Sequence, residues 1–126
     1  MPGAPSRRVL VVDDEPDIRE SLRDIIEASI EDTLVITARD GQEAIDLLRT
    51  NGPFDLVLTD ERMPRATGGE VLAWAKEHRV PAARVLLSAL PEAALAPAAK
   101  VADAVLKKPV EVRRLVKTLR MHLPPA

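Results

Sequence analysis

The stretch V-L-V-V-D-D-E-P at residues 9–16 decides the fold, because four apolar residues in a row run straight into three acids and a proline. An uninterrupted apolar run fits a strand covered on both faces, the situation found inside a parallel sheet. Three further runs have the same form. Residues 56–59 lead into Asp60, residues 85–87 into Ser88, and residues 105–106 into Lys107, Lys108 and Pro109. Stretches with helical periodicity separate these runs, which predicts parallel strands joined by helical crossovers. Parallel strands end on the same side, so the polar residues should meet at one edge of one sheet. That edge would carry carboxylates, a hydroxyl and an ammonium, a set suited to a divalent cation and a phosphate.

Outward from these runs, strands are expected at 8–12, 34–37, 54–59, 84–87 and 104–106. Between the first two, a helix over 17–29 places Ile18, Leu22, Ile25, Ile26 and Ser29 on one face. Asp40-Gly41 turns into a second helix carrying Ala44, Ile45, Leu47 and Leu48, and Asn51-Gly52-Pro53 stops it. After a loop at 61–67, a helix over 68–78 turns Val71, Leu72 and Ala75 inward, with Trp74 near the same face. The last helix, 110–122, should bury Val112, Leu115, Val116 and Leu119. Alanines between residues 91 and 101 favour helix, but Pro97 lacks a backbone donor, so a short or broken fourth helix is expected.

A chain of 126 residues, 46% hydrophobic, suits one ordered domain over 7–123. Residues 1–6 read as a flexible tail and 124–126 as a tail or the start of a linker. The lack of cysteine excludes a disulfide framework and thiolate metal sites. The net charge of −2 comes with mixed signs and no evident basic stripe, and aromatic residues make up only 2% of the chain. Direct nucleic-acid binding is therefore not expected; Arg113, Arg114, Lys117 and Arg120 read as the solvated face of the last helix. No apolar stretch approaches a membrane span, and a cytoplasmic protein without a membrane partner is expected.

Strict alternation of five strands and five helices predicts a doubly wound α/β sheet in the order 2-1-3-4-5. Strand one then lies beside strand three at the topological switch point, which brings its acids next to Asp60. In V-V-D-D-E-P at 11–16, L-T-D-E-R-M-P at 58–64, L-S-A at 87–89 and K-K-P at 107–109, the chain resembles the CheY-like receiver domain of bacterial response regulators. Each motif is weak alone, but all four stand in order at expected strand ends. The resemblance spans residues 7–123 and implies a flavodoxin-like (βα)5 fold.

It implies that Asp60 is the phosphoacceptor, forming an acyl phosphate. Asp14 and Asp60 would bind Mg²⁺ directly (Mn²⁺ is an alternative), Asp13 through water, and Arg62 through its backbone carbonyl. Capping of the first helix is the competing role for Asp13 and Asp14. Lys108 would bind the phosphoryl group, with Lys107 as its competitor, and Pro109 would follow a cis bond. Ser88 would be the switch hydroxyl, and the small Ala89 would leave room for its movement. The donor would be a phosphohistidine on a histidine kinase or phosphotransfer protein, and the output a downstream protein or a fused domain. His78 and His122 read as surface residues, not donors.

Two features depart from the family pattern: the stretch from Ser88 to Lys108 is short and contains Pro91 and Pro97, and one key position is changed. The switch aromatic expected three residues before the lysine is replaced by Val105, so the signal should leave through backbone movement or another surface. The same resemblance implies that Arg62 and Leu90 would flank the route of the hydrolytic water and tune the lifetime of the acyl phosphate. Competing readings are a degenerate receiver acting as a constitutive interaction module and a phosphohydrolase with an aspartyl-phosphate intermediate. The latter lacks a second acid at D-x-D spacing. A dinucleotide-binding domain would need a glycine-rich turn where Asp13-Asp14-Glu15-Pro16 stands.

Overall fold

A computed structural model describes residues 7–125, apart from the side chains of residues 92, 93 and 95. Strands β1 (Arg7–Val12), β2 (Thr33–Ala38), β3 (Leu56–Asp60), β4 (Ala83–Ser88) and β5 (Ala104–Lys107) alternate with five helices. These are α1 (Pro16–Ser29), α2 (Gly41–Thr50), α3 (Gly68–Glu77), α4 (Glu92–Ala99) and α5 (Val112–His122). The sheet is parallel throughout, in the order β2-β1-β3-β4-β5, as the alternation predicts. The tail expected at 1–6 and residue Ala126 lie outside the described residues.

The apolar run in β1 is covered on both faces. Val9 and Val11 pack with Leu22 and Ile26 of α1 and Leu115 and Leu119 of α5. Leu10 and Val12 face the other way, onto Ala44 and Leu48 of α2 and Val71, Leu72 and Ala75 of α3. No residue from Val9 to Val12 is more than 1% exposed. Truncating a leucine at such a position costs about 2–5 kcal/mol, so this strand contributes heavily to holding the two helical layers on the sheet.

Strand register delivers the polar residues to one edge. Val12 aligns with Thr59, so the next residues along, Asp13 and Asp60, stand side by side. On the other side of β3, Asp60 aligns with Leu87, and Ser88 aligns with Lys107. Local chemistry fixes the helix starts around this edge. Thr67 and Glu70 form a reciprocal capping box on α3, and Asp40 accepts the Glu43 N–H at the start of α2.

Two expectations need correction. Val112 is 50% exposed rather than inward, because it opens α5 at the edge of the sheet, one turn before Leu115 reaches the core. The third strand begins at Leu56, not Phe54; Phe54 is buried in the approach to it, under the Arg8 guanidinium, 4.7 Å from the ring centroid. The fourth helix is short, eight residues, as expected, and Pro97 sits inside it. Ala98 of α4 packs so closely on α3 that a Cβ added to Gly69 would lie 2.9 Å from the Ala98 Cβ. Beyond α4 the chain is fastened to β4. Asp103 accepts the Arg84 N–H at 2.7 Å and returns its own N–H to the Arg84 carbonyl at 2.6 Å, while Arg84 Nε donates to the Val101 carbonyl at 2.7 Å.

Candidate functional site

Asp13, Asp14 and Asp60 can each place a carboxylate oxygen within 4.8 Å of the others. Their surroundings differ. Asp13 is buried, Asp14 is exposed, and the Asp60 side chain is 12% exposed at the end of β3. Asp13 Oδ1 accepts the Glu15 N–H at 2.9 Å, and the Arg19 guanidinium holds the Asp13 carbonyl at 2.9 Å. These bonds fold the β1–α1 turn so that Asp13 points along the edge. Neither aspartate caps α1: Glu15 occupies the cap position and makes no side-chain cap bond.

The other oxygen, Asp13 Oδ2, is buried and has no hydrogen-bond partner. Lys108 Nζ stands 3.8 Å from it and 3.2 Å from Asp60 Oδ1. Burial pushes the Asp13 carboxyl above its ordinary value. The Glu15 N–H opposes this, the Asp60 charge adds to it, Lys108 opposes it and Asp14 adds to it. One ammonium therefore faces three carboxylates, one of them with an unsatisfied buried oxygen. A hard cation taking oxygen ligands fits this donor set and would relieve both the repulsion and the orphaned oxygen.

Lys108 rather than Lys107 reaches the acids; Lys107 is exposed. Ser88 is 1% exposed, its Oγ accepts the Leu90 N–H at 3.0 Å, and its carbonyl accepts the Lys108 N–H at 3.0 Å. A cleft of about 300 Å³ opens beside Asp60, bordered by Asp14, Glu15, Arg62, Ser88, Ala89, Leu90 and Lys108. The Lys108–Pro109 peptide is cis. Val105 lies away from the cleft, half-buried against the second core cluster.

Two supporting residues escaped the sequence reading. Glu61 lends its carboxylate to the Gly69 N–H at 2.6 Å and its carbonyl to the Gly68 N–H at 2.9 Å, while its own N–H donates to Asp60 Oδ1 at 3.0 Å. Gly68 is needed because a Cβ there would overlap the Asp60 carbonyl, 2.9 Å from its carbon and 3.0 Å from Glu61 Cα. The Gly68-Gly69 pair was the available signal: two glycines opening a helix mark a close backbone approach.

The family model for the response regulator receiver domain matches residues 9–120. The chain belongs to this family. Its relatives include the polar-differentiation response regulator DivK of Brucella ovis, 32% identical over 122 residues that cover 94% of this chain and 97% of DivK. The receiver domain also superimposes on the response regulator TrrA of Thermotoga maritima, solved in complex with Mg²⁺-BeF. That pair shares 32% identity and a TM-score of 0.82 over 93% of this chain and 99% of TrrA. The response regulator domain of Thermotoga maritima CheB gives 29% identity and a TM-score of 0.80, covering 94% and 98%. The protein is thus a phospho-accepting receiver of two-component signalling. Among the described residues, no helix is long and apolar enough to cross a membrane.

Proposed function

We propose that this receiver takes a phosphoryl group onto Asp60 from the phosphohistidine of a histidine kinase or phosphotransfer protein. The observation that carries the assignment is the placement of Asp60 at the mouth of the cleft, with Lys108 Nζ 3.2 Å away and two further carboxylates beside it. Asp60 Oδ1 is engaged by Lys108 and by the Glu61 N–H, which leaves Oδ2 to attack phosphorus. The Oδ2–P bond forms as the donor's N–P bond breaks, and the donor histidine keeps the electron pair. Little covalent help is required; positioning and charge neutralisation carry the transfer.

Mg²⁺, when bound, supplies positive charge to the transferring phosphoryl oxygens. Asp14, Asp60 and the Arg62 carbonyl would hold it in this reading, with Asp13 helping through water, and Mn²⁺ could stand in. Lys108 exchanges its carboxylate partner for a phosphoryl oxygen. Ser88 Oγ already accepts the Leu90 N–H, so its hydrogen is available to donate to the phosphoryl group, with Ala89 leaving room for the loop to follow. The protein supports its own phosphorylation and dephosphorylation rather than turning over a separate substrate. It works in the cytoplasm on a downstream protein or a fused output domain, with residues 7–123 as the receiver unit. With Val105 in place of the switch aromatic, the signal leaves through backbone movement.

Intact mass after incubation with acetyl phosphate and Mg²⁺ tests this. One added phosphoryl group is expected, absent in Asp60→Asn and absent without Mg²⁺. No adduct, together with no Mg²⁺-dependent response to beryllofluoride, would instead support the constitutive interaction module.

A further inference from the structure

Helix α3 opens with four backbone donors that have no partner inside the helix, those of residues 67–70. The Thr67–Glu70 capping box takes two of them, at 3.2 and 3.1 Å. Glu61 takes the other two: its carbonyl accepts the Gly68 N–H and its carboxylate accepts the Gly69 N–H. The same residue donates its own N–H to Asp60 Oδ1. Three hydrogen bonds from one residue therefore run from the Asp60 carboxylate to the first turn of α3.

Capping alone would explain an acid at this place, since a carboxylate suits the positive end of a helix. The loop that Glu61 begins asks for more. Arg62, its second residue, is exposed and borders the cleft. Arg65 holds a φ of 68°, in the left-handed region that a residue other than glycine keeps only where its surroundings impose it. Among the described residues, both hydrogen bonds between this loop and the two glycines that open α3 come from Glu61. The helix start has no room to shift and meet the loop elsewhere, because Gly68 lies against the Asp60 carbonyl and Gly69 against Ala98.

We propose that Glu61 is a positioning residue for phosphoryl transfer. Its carboxylate, fastened to Gly69, sets the direction in which the chain leaves β3. That direction aims the N–H of residue 61 at Asp60 Oδ1, which leaves Oδ2 free for phosphorus, and it fixes the Arg62 carbonyl one residue further on. This role presupposes Asp60 as the phosphoacceptor. The hydrogen bond, not the charge, carries the effect: a glutamine oxygen can accept the same N–H, and an alanine cannot. Loss of such a supporting bond costs about 10–100-fold in activity or metal affinity.

Amide hydrogen exchange of the metal-free full chain is the first test. In Glu61→Ala, both the Gly69 amide and the amide of residue 61 should exchange about tenfold faster, whereas in Glu61→Gln both should stay near the parent rates. A mere cap would release Gly69 alone. Acetyl-phosphate labelling with Mg²⁺, followed by intact mass, is the second test. Glu61→Ala should label about tenfold more slowly, and Glu61→Gln close to the parent rate. Thr67→Ala frees a donor of the same helix start without touching Asp60 or Glu61, and should label like the parent. Faster exchange confined to Gly69, unslowed labelling in Glu61→Ala, or equal slowing in Glu61→Gln or Thr67→Ala would each overturn the proposal while the parent still labels. A parent that takes no phosphoryl group would overturn the Asp60 assignment and this role with it.

Discussion

Gly68→Ala sets two effects of opposite sign against each other. Gly68 is the first residue of α3, and replacing a helical glycine with alanine ordinarily stabilises by about 0.5–1 kcal/mol. Here the new methyl would sit 2.9 Å from the Asp60 carbonyl carbon and 3.0 Å from Glu61 Cα, against a normal carbon–carbon separation of about 3.5–4.0 Å. Both neighbours are backbone, so either α3 or the strand end carrying Asp60 must move. Overpacking of this kind costs about 1–3 kcal/mol, which exceeds the gain in helix propensity. The net expectation is a loss of about 1–2 kcal/mol. With a urea m-value of about 1–3 kcal/mol/M for a small domain, the unfolding midpoint should fall by roughly 0.5–1 M. Acetyl-phosphate labelling should slow as well, because the displaced segment carries Asp60, the proposed acceptor. Gly69→Ala is the internal control. Its methyl would meet the Ala98 Cβ at 2.9 Å and Cα at 3.3 Å, so α4 rather than the strand end carrying Asp60 must move, and its loss of stability should come without slower labelling. A Gly68→Ala midpoint equal to or above the parent's would refute the steric argument.

Asp13→Asn should raise the stability of the metal-free protein by about 1 kcal/mol, by removing a buried charge, and should abolish the Mg²⁺-induced shift in melting temperature. The same residue sets a pH dependence. Because its folded carboxyl titrates above the ordinary 3.8, the folded state holds that proton more tightly than the unfolded chain does. Its contribution is complete below 3.8 and is lost as pH climbs through the raised folded value. Urea midpoints without Mg²⁺ should therefore fall more steeply over this window in the parent than in Asp13→Asn; identical slopes would contradict the shift. Lys108→Met should lower metal-free stability by about 1–2 kcal/mol, with added Mg²⁺ recovering much of it in differential scanning fluorimetry. Thr67→Ala removes one half of the capping box and should cost about 1 kcal/mol in chemical denaturation while leaving the phosphorylated mass unchanged.

The sheet was legible because its strands are buried on both sides: runs such as 9–12 and 56–58 carry no polar residue, and alternation with helices leaves few topologies. The meeting of Asp13, Asp14, Asp60, Ser88 and Lys108 followed from that order, since every one of them ends or follows a strand. What escaped depends on tertiary neighbours. Val112 has the periodicity of a core residue, and only the position of the sheet edge leaves it in solvent. Glu61 looks like any loop acid until Gly69 is folded back against it. Pro97 reads as a helix breaker, yet one lost hydrogen bond near the end of a short helix is tolerated.

The Arg84–Asp103 fastening fixes the C-terminal end of α4. Four hydrogen bonds moor the chain just beyond its last turn to the start of β4, and Ala98 is wedged against α3. The chain just past α4 is therefore the part of this face least free to shift, and any movement of the helix that follows a displacement of the Ser88–Leu90 segment would pivot about that end.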